Sequence, residues 1–274
     1  MSDDLLDVFS MGIGAIVPPV AFESALLYGG AGSGKTHFAL GASRLEQYSP
    51  MLVIDTENSV SGVIDNYRQR DTDNPTDIAF DPKRGGIVDV VRPIEKWGAT
   101  AYENTMILLD AVAEGKTIYK SVVIDVADVL QAWGLQHHDD PRNSFAKYDM
   151  IDKDLTGAPL PGKDGKANMG LFYRLKMSGL LSFLVVHEKM SQPDEGAPVA
   201  QYQWAGQGKG KIGGIPDAVF YFRRKAKGNG AETTMFTVGG ATFEGKNRFS
   251  LPNKYINPTF AEVLEDAQKN GATN

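Results

Sequence analysis

Five short apolar runs mark the first two thirds of the chain: Ala25 to Tyr28, Met51 to Ile54, Ile87 to Val91, Ser121 to Ile124 and Leu181 to Val186. Each is brief and unbroken rather than alternating, which is how strands covered on both faces read. Helix-like segments lie among them at Thr36 to Glu46, Ser61 to Arg70, Thr100 to Glu114 and Val126 to Trp133. In the third of these, Met106, Leu108, Leu109 and Val112 recur at helical spacing and read as core. The alternation predicts an α/β domain with a mostly parallel central sheet flanked by helices. After Leu181 the pattern changes. Ala218 to Arg223, Thr233 to Val238 and Arg248 to Leu251 read as strands joined by turns such as Gly228-Asn229-Gly230, which predicts an antiparallel C-terminal extension.

Two stretches follow neither pattern. Asp139 to Lys166 contains Pro141, Pro159, Pro161, Gly157, Gly162 and Gly165, and Ser191 to Gly214 is similarly rich in Gly, Pro and Gln. Both are expected to be mobile loops, about 139–166 and 191–214, and loops of that length inside a domain usually serve function or lack order. No repeat or linker divides the chain. The expectation is one domain over 1–274, with an N-terminal arm (1–20), a core (21–252) and a tail (253–274) made acidic by Glu262, Glu265 and Asp266.

The strongest chemical signal follows the first apolar run. Gly29-Gly30-Ala31-Gly32-Ser33-Gly34-Lys35-Thr36 completes the pattern G-x-x-x-x-G-K-[ST] between a strand and a helix. Glycines let backbone N–H groups wrap phosphates, and the helix start faces them. Lys35 neutralises β- and γ-oxygens while the Thr36 hydroxyl ligates magnesium. ATP and Mg2+ are therefore expected. A second metal contact is needed, and Asp125, ending the run Ser121-Val122-Val123-Ile124, is the candidate, with a helix-capping role as its alternative. The next residue is Val126, where many such sites carry a glutamate. The base that polarises the attacking water is instead read as Glu57, just past the end of another strand in Asp55-Thr56-Glu57.

Composition narrows the setting. No stretch approaches the roughly 20 apolar residues of a membrane helix, and Met1-Ser2-Asp3-Asp4 is acidic where a signal peptide is basic. Cysteine is absent, which excludes disulfides and thiolate metal sites. A cytoplasmic protein without membrane contact is expected. The net charge of -6 repels a polyanion from the molecule as a whole, so any nucleic-acid site must be local. Lys209, Lys211, Arg223, Arg224, Lys225 and Lys227 concentrate positive charge in this way, with a merely solvated surface as the alternative. Adjacent side chains diverge in His137-His138-Asp139-Asp140, so no second metal site is read there.

With these motifs placed, the chain resembles the RecA-like recombinases over roughly Ser24 to Pro252. In that family an Asp-x-Glu strand end supplies the catalytic glutamate, matched by Asp55-Thr56-Glu57, and a later strand ends in the aspartate matched by Asp125. A third strand, here Leu180 to His187, ends in a polar residue that senses the γ-phosphate and leads into a DNA-binding loop. Glutamine is usual there, and His187 departs from it. Gly245 to Pro252 resembles the Lys-x-Lys element that reaches the nucleotide of a neighbouring subunit, which implies that role for Lys246 and Arg248. The compact form, His187-Glu188-Lys189, and Leu251-Pro252 before an acidic helix are similar to phage-encoded RecA-like single-strand annealing proteins of the Sak type.

The resemblance implies an ATP-hydrolysing recombination or annealing protein that binds single-stranded DNA and assembles as a homo-oligomer, filament or ring, in the host cytoplasm. Other phage replication or recombination proteins are the further partners it implies. The DNA site would lie in Ser191 to Gly214, with Lys209 and Lys211 on phosphates. Tyr202 and Trp204 would offer stacking faces worth about 1–3 kcal/mol per base. Arg142 and Lys147 are weaker candidates among many aspartates. An ATPase motor or loader acting with a helicase or packaging machine, and an ATP-switched binding module with little turnover, are the competing readings.

Overall fold

In the computed structural model, which describes residues 23–67, 86–139, 146–158, 160–161, 167–192, 197–205, 208–228 and 230–271, the unbroken apolar runs become strands that send successive side chains to opposite faces. β1 (Ser24–Gly29) directs Ala25 and Leu27 into one core and Leu26 and Tyr28 into the other. β2 (Met51–Asp55) and β4 (Ser121–Asp125) do the same, with Val53 and Val123 facing one way and Ile54 and Ile124 the other. So does β7 (Leu181–Ser191), through Phe183 and Leu184. Because both faces are covered, both are mostly apolar, and the period-2 alternation of a half-buried strand disappears.

From one edge the sheet runs β3 (Val88–Val91), β2, β4, β7, β1, β9 (Ala218–Lys227), β10 (Gly230–Phe236) and β12 (Lys254–Ile256). The first six are mutually parallel; β10 runs antiparallel to β9 and β12 antiparallel to β10. The expected antiparallel C-terminal extension therefore forms, but it begins after β9, which is parallel to β1, and it includes β12, which the apolar pattern does not mark. The described helices are α1 (Lys35–Gly41), α2 (Ser61–Ile64), α3 (Pro93–Trp97), α4 (Ala101–Ala113), α5 (Ala127–His137), α6 (Ala146–Thr156), α7 (Leu171–Met177), α8 (Gly208–Gly214) and α9 (Phe260–Gly271). On one face α1 and α9 enclose an aromatic knot, in which the Phe38 ring lies 5.4 Å from Phe222 and 5.8 Å from Phe260, centroid to centroid. The other face is covered mainly by α4, α5, α6 and α7.

Four expectations are corrected. The stretch 139–166 holds α6, which buries Ile151, Asp152, Leu155 and Thr156, followed by a short antiparallel pair, β5 (Leu160–Pro161) and β6 (Ala167–Asn168). Residues 140–145, Arg142 among them, as well as 159 and 162–166, lie outside the described residues. The stretch 191–214 holds β8 (Val199–Tyr202), which pairs antiparallel with the end of β7, and then α8. No strand forms at Arg248 to Leu251. β11 (Lys246–Asn247) ends just before it, the Phe249 amide turns back onto Asn247 Oδ1 at 2.8 Å, and Ser250 takes a φ of 52° that an extended strand does not allow. Finally, the residues after 252 are not an appendage: Tyr255 on β12 and Phe260, Val263, Leu264 and Ala267 on α9 belong to the core. The N-terminal arm lies outside the described residues, as does the end of the Ser61 to Arg70 segment beyond Tyr67. Among the described residues no helix is long and apolar enough to cross a membrane.

Candidate nucleotide-binding site

The strand ends that carry chemistry lie side by side. Gly29 on β1 is level with His187 on β7, and Asp125 on β4 is level with Asp55 on β2 and Val185 on β7. Ligands of parallel sheets sit at these carboxyl ends. The loop residues from Ala31 to His37, together with Glu57, Ser59, Asp125, His187 and Arg224, line one cavity of about 370 Å³.

Glycine is obligatory where the loop leaves the sheet. Gly29 has a φ of 145°, and a Cβ there would stand 2.1 Å from the Phe222 carbonyl oxygen on β9. Inside the loop the Ser33 hydroxyl is buried with no hydrogen-bond partner, an arrangement that costs about 1–3 kcal/mol and that a phosphate oxygen would relieve. Lys35 is buried beneath the loop, its Nζ donating to the carbonyls of Gly29 at 2.7 Å and Gly30 at 3.1 Å. Burial lowers its pKa, against the pull of Asp125, Glu188, Asp128 and Glu57.

The Thr36 hydroxyl donates to Asp125 Oδ2 at 2.7 Å. Burial pushes the Asp125 carboxyl up to about 6; the Thr36 hydrogen bond opposes this, and the charge of Asp55 adds to it. Two oxygens side by side in a surplus of negative charge fit a magnesium ion. Among the described residues no three His, Cys, Asp or Glu side chains gather into a metal cage. Magnesium held by a carboxylate and a hydroxyl takes its remaining ligands from phosphate and water.

Glu57 is placed by its two neighbours. Asp55 turns away from the cavity and accepts the amides of Ser59 at 2.9 Å and Val60 at 3.3 Å, with Arg92 Nε at 3.5 Å. Thr56 ties the same turn to β4: its hydroxyl donates to the Val126 carbonyl at 3.1 Å and accepts the Val126 amide at 2.7 Å. Glu57 thereby follows a turn fixed to β4 and lines the cavity together with Asp125. Its Oε2 lies 3.3 Å from His187 Nε2.

His187 is itself gripped twice by Asp128, which accepts its backbone amide at 3.0 Å and stands 2.8 Å from its Nδ1. Burial alone would lower the His187 pKa, but the hydrogen bond and charge of Asp128 and the charge of Glu57 outweigh it, and the net shift is upward. Sequence reasoning missed Asp128, although its place in the first turn of α5, three residues after Asp125, was a usable signal. It also read Arg224 only as one member of a positive concentration for nucleic acid, not as part of the nucleotide cavity. The Arg224 Nη1 in fact donates to the Gly32 carbonyl at 2.9 Å.

The remaining candidates do not join this constellation. β11 pairs with the start of β9, at the opposite end of the sheet from the phosphate loop, so Lys246 and Arg248 are remote from their own chain's cavity. Lys246 Nζ donates to the carbonyls of Gly213, Gly214 and Pro216 at 3.3, 2.9 and 2.7 Å. Burial, with the charges of Arg248 and Lys176, lowers its pKa. Three carbonyls occupy its three donors, which corrects the expectation that it is available to a neighbour. Arg248 is more than half exposed, 3.5 Å from Asp217.

Tyr202 and Trp204 are also corrected. Both are buried, Tyr202 edge-on to Tyr28 with ring centroids 5.8 Å apart and Trp204 against Phe172 at 5.9 Å, so neither offers a base an open face. Lys211 is half exposed, 3.9 Å from Asp152. The Lys209 side chain lies outside the described residues.

Compared with known proteins, the chain matches a family model described as an AAA domain over residues 21–249. Among solved structures it is similar to the KaiC-like protein PH0186 from the hyperthermophilic archaeon Pyrococcus horikoshii OT3. The TM-score is 0.39 and the identity 14%, over 78% of this chain and 76% of that one. No curated protein matches it.

Proposed function

Because the chain belongs to the AAA domain family, we propose that it is a magnesium-dependent ATPase that acts on single-stranded DNA as a homo-oligomer. The observation that carries the ATPase reading is the meeting of Lys35, Thr36, Asp125, Glu57 and His187 around one cavity. Thr36 Oγ1 and Asp125 Oδ2 would hold magnesium, which when bound neutralises phosphate charge. Lys35 exchanges its carbonyl partners for phosphate oxygens. Glu57 accepts the proton of the attacking water, a role worth about 10²–10⁴ in rate. His187, oriented by Asp128, presents Nε2 to the same place and registers the terminal phosphate.

The DNA part rests on the resemblance to RecA-like recombinases of the annealing type and on the exposed basic residues Arg223 and Lys225 of β9, which flank Arg224 on the opposite face of the strand. Burial of Tyr202 and Trp204 moves the reading away from base stacking and toward phosphate contact. The oligomer reading now relies on Arg248 alone as the residue offered to a neighbouring site.

The test is steady-state ATP hydrolysis with and without single-stranded DNA, for the wild type and Glu57→Gln, with DNA binding recorded in parallel. Turnover stimulated by DNA and abolished in Glu57→Gln, with ATP-dependent DNA binding retained, is the expected result. If DNA neither binds nor alters turnover, the DNA reading fails and an ATPase that serves a protein partner replaces it.

A further inference from the structure

The strand order gives the phosphate loop two unlike flanks. On one side of β1 stand β7, β4 and β2, which deliver His187, Asp125 and Glu57, the groups that act on the bond being broken. On the other side stands β9. Phe222 of β9 is level with Gly29, so the residues after it run on past the end of β1 and pair with β10 as a projecting hairpin. Arg224 lies opposite Thr233 in that hairpin. The Thr233 hydroxyl and methyl come within 3.5 Å of where a Gly34 Cβ would stand, so the hairpin rests on the loop.

Arg224 Nη1 meets the Gly32 carbonyl at 2.9 Å, and the side chain lines the same cavity as Lys35. One carbonyl uses one of the five N–H donors of a guanidinium, and among the described residues no carboxylate lies within ion-pair distance of it. A planar, forked cation on a phosphate-binding loop suits a phosphate better than a carbonyl.

We propose that Arg224 contacts the nucleotide in cis, binding the phosphate nearest the nucleoside. This rests on the ATPase reading. With the terminal phosphate placed among Glu57, His187 and Asp125, a triphosphate crossing the loop has its other end on the β9 flank. That end is common to ATP and ADP and is not altered by cleavage. Arg224 therefore contributes binding that substrate and product share equally, a role distinct from that of Lys35. Such a residue moves KM and product affinity together.

The experiment is calorimetric titration of full-length protein with Mg-ATP, in the Glu57→Gln background to suppress turnover, and with Mg-ADP, for Arg224, Arg224→Lys and Arg224→Ala. Arg224→Ala is expected to weaken both nucleotides about tenfold or more, leaving the ratio of their affinities unchanged. Arg224→Lys should recover only part, since a point charge does not replace a fork. In steady state the loss falls on KM more than on kcat. Unchanged ADP affinity in a variant that melts like the wild type overturns the proposal, and so does a loss confined to ATP, which would move Arg224 to the terminal phosphate. If wild-type protein takes up neither nucleotide, the ATPase reading itself falls and this one with it, a result that the Arg224 variants alone cannot produce.

Discussion

The imidazole of His187 stands between two carboxylates, with Asp128 at Nδ1 and Glu57 near Nε2. Its pKa is raised above the ordinary imidazole value of about 6.5. The sign follows from linkage: a raised folded-state value gives stability that is fully present below the unfolded value and lost as pH rises through the folded one. About a third of the side chain is exposed, so solvent screens the stability effect and titration is the better readout. An NMR titration should place the His187 midpoint lower in Asp128→Asn than in the wild type, and equal midpoints would mean that Asp128 does not hold the proton. At this scale the sequence was informative wherever a residue's place was fixed by a motif or a strand end, as for Lys35, Thr36, Asp125, Glu57 and His187. Asp128 and Arg224 act from neighbouring elements. Nothing in the order of residues says that β9 borders β1, and without that adjacency Arg224 reads as one basic residue among several.

Elements were legible in proportion to how completely they are buried. β1, β2, β4 and β7 lie between two layers of helices and show as plain apolar runs. α6 buries only two apolar residues, Ile151 and Leu155, together with the polar Asp152 and Thr156, and prolines and glycines lie on either side, so its composition and surroundings hid it. β8 and α8 were hidden for a related reason: a glycine-rich segment such as Gly208–Gly214 has low helix propensity, and Ile212, buried in the core, supplies its anchor. These buried anchors make a prediction. Leu155→Ala should cost about 2–5 kcal/mol and Trp204→Ala about 3–5 kcal/mol in urea unfolding, by loss of transfer energy and creation of a cavity. If Trp204 were a stacking platform for bases, its replacement would instead reduce DNA affinity and leave unfolding nearly unchanged.

For the whole molecule, charge is distributed against itself. A chain of net charge -6 carries exposed Arg223 and Lys225 on one face of the β9–β10 hairpin, with Lys227 beyond them ion-paired to Glu232. Association with DNA through that patch would release a counterion for each phosphate neutralised and so weaken as salt rises. Fluorescence anisotropy of a labelled single strand across a salt series should show log affinity falling linearly with log salt. Replacing Arg223 and Lys225 by Gln should flatten the slope by about 0.7 for each phosphate that is no longer neutralised. A slope identical in the variant would place the DNA elsewhere on the surface.

The position of β1 in the sheet also has a consequence for synthesis. The strand leaves the ribosome long before either of its neighbours, β7 and β9, and the carbonyl against which Gly29 turns belongs to Phe222. Parallel pairings across such separations form late because the intervening chain must first be closed into a loop. Until β9 has emerged, one edge of β1 has nothing to pair with and the phosphate loop has no wall to turn on. A nascent or truncated chain that stops short of β9 therefore carries the complete nucleotide motif without the wall that shapes it, and acquires that wall only once β9 has been made.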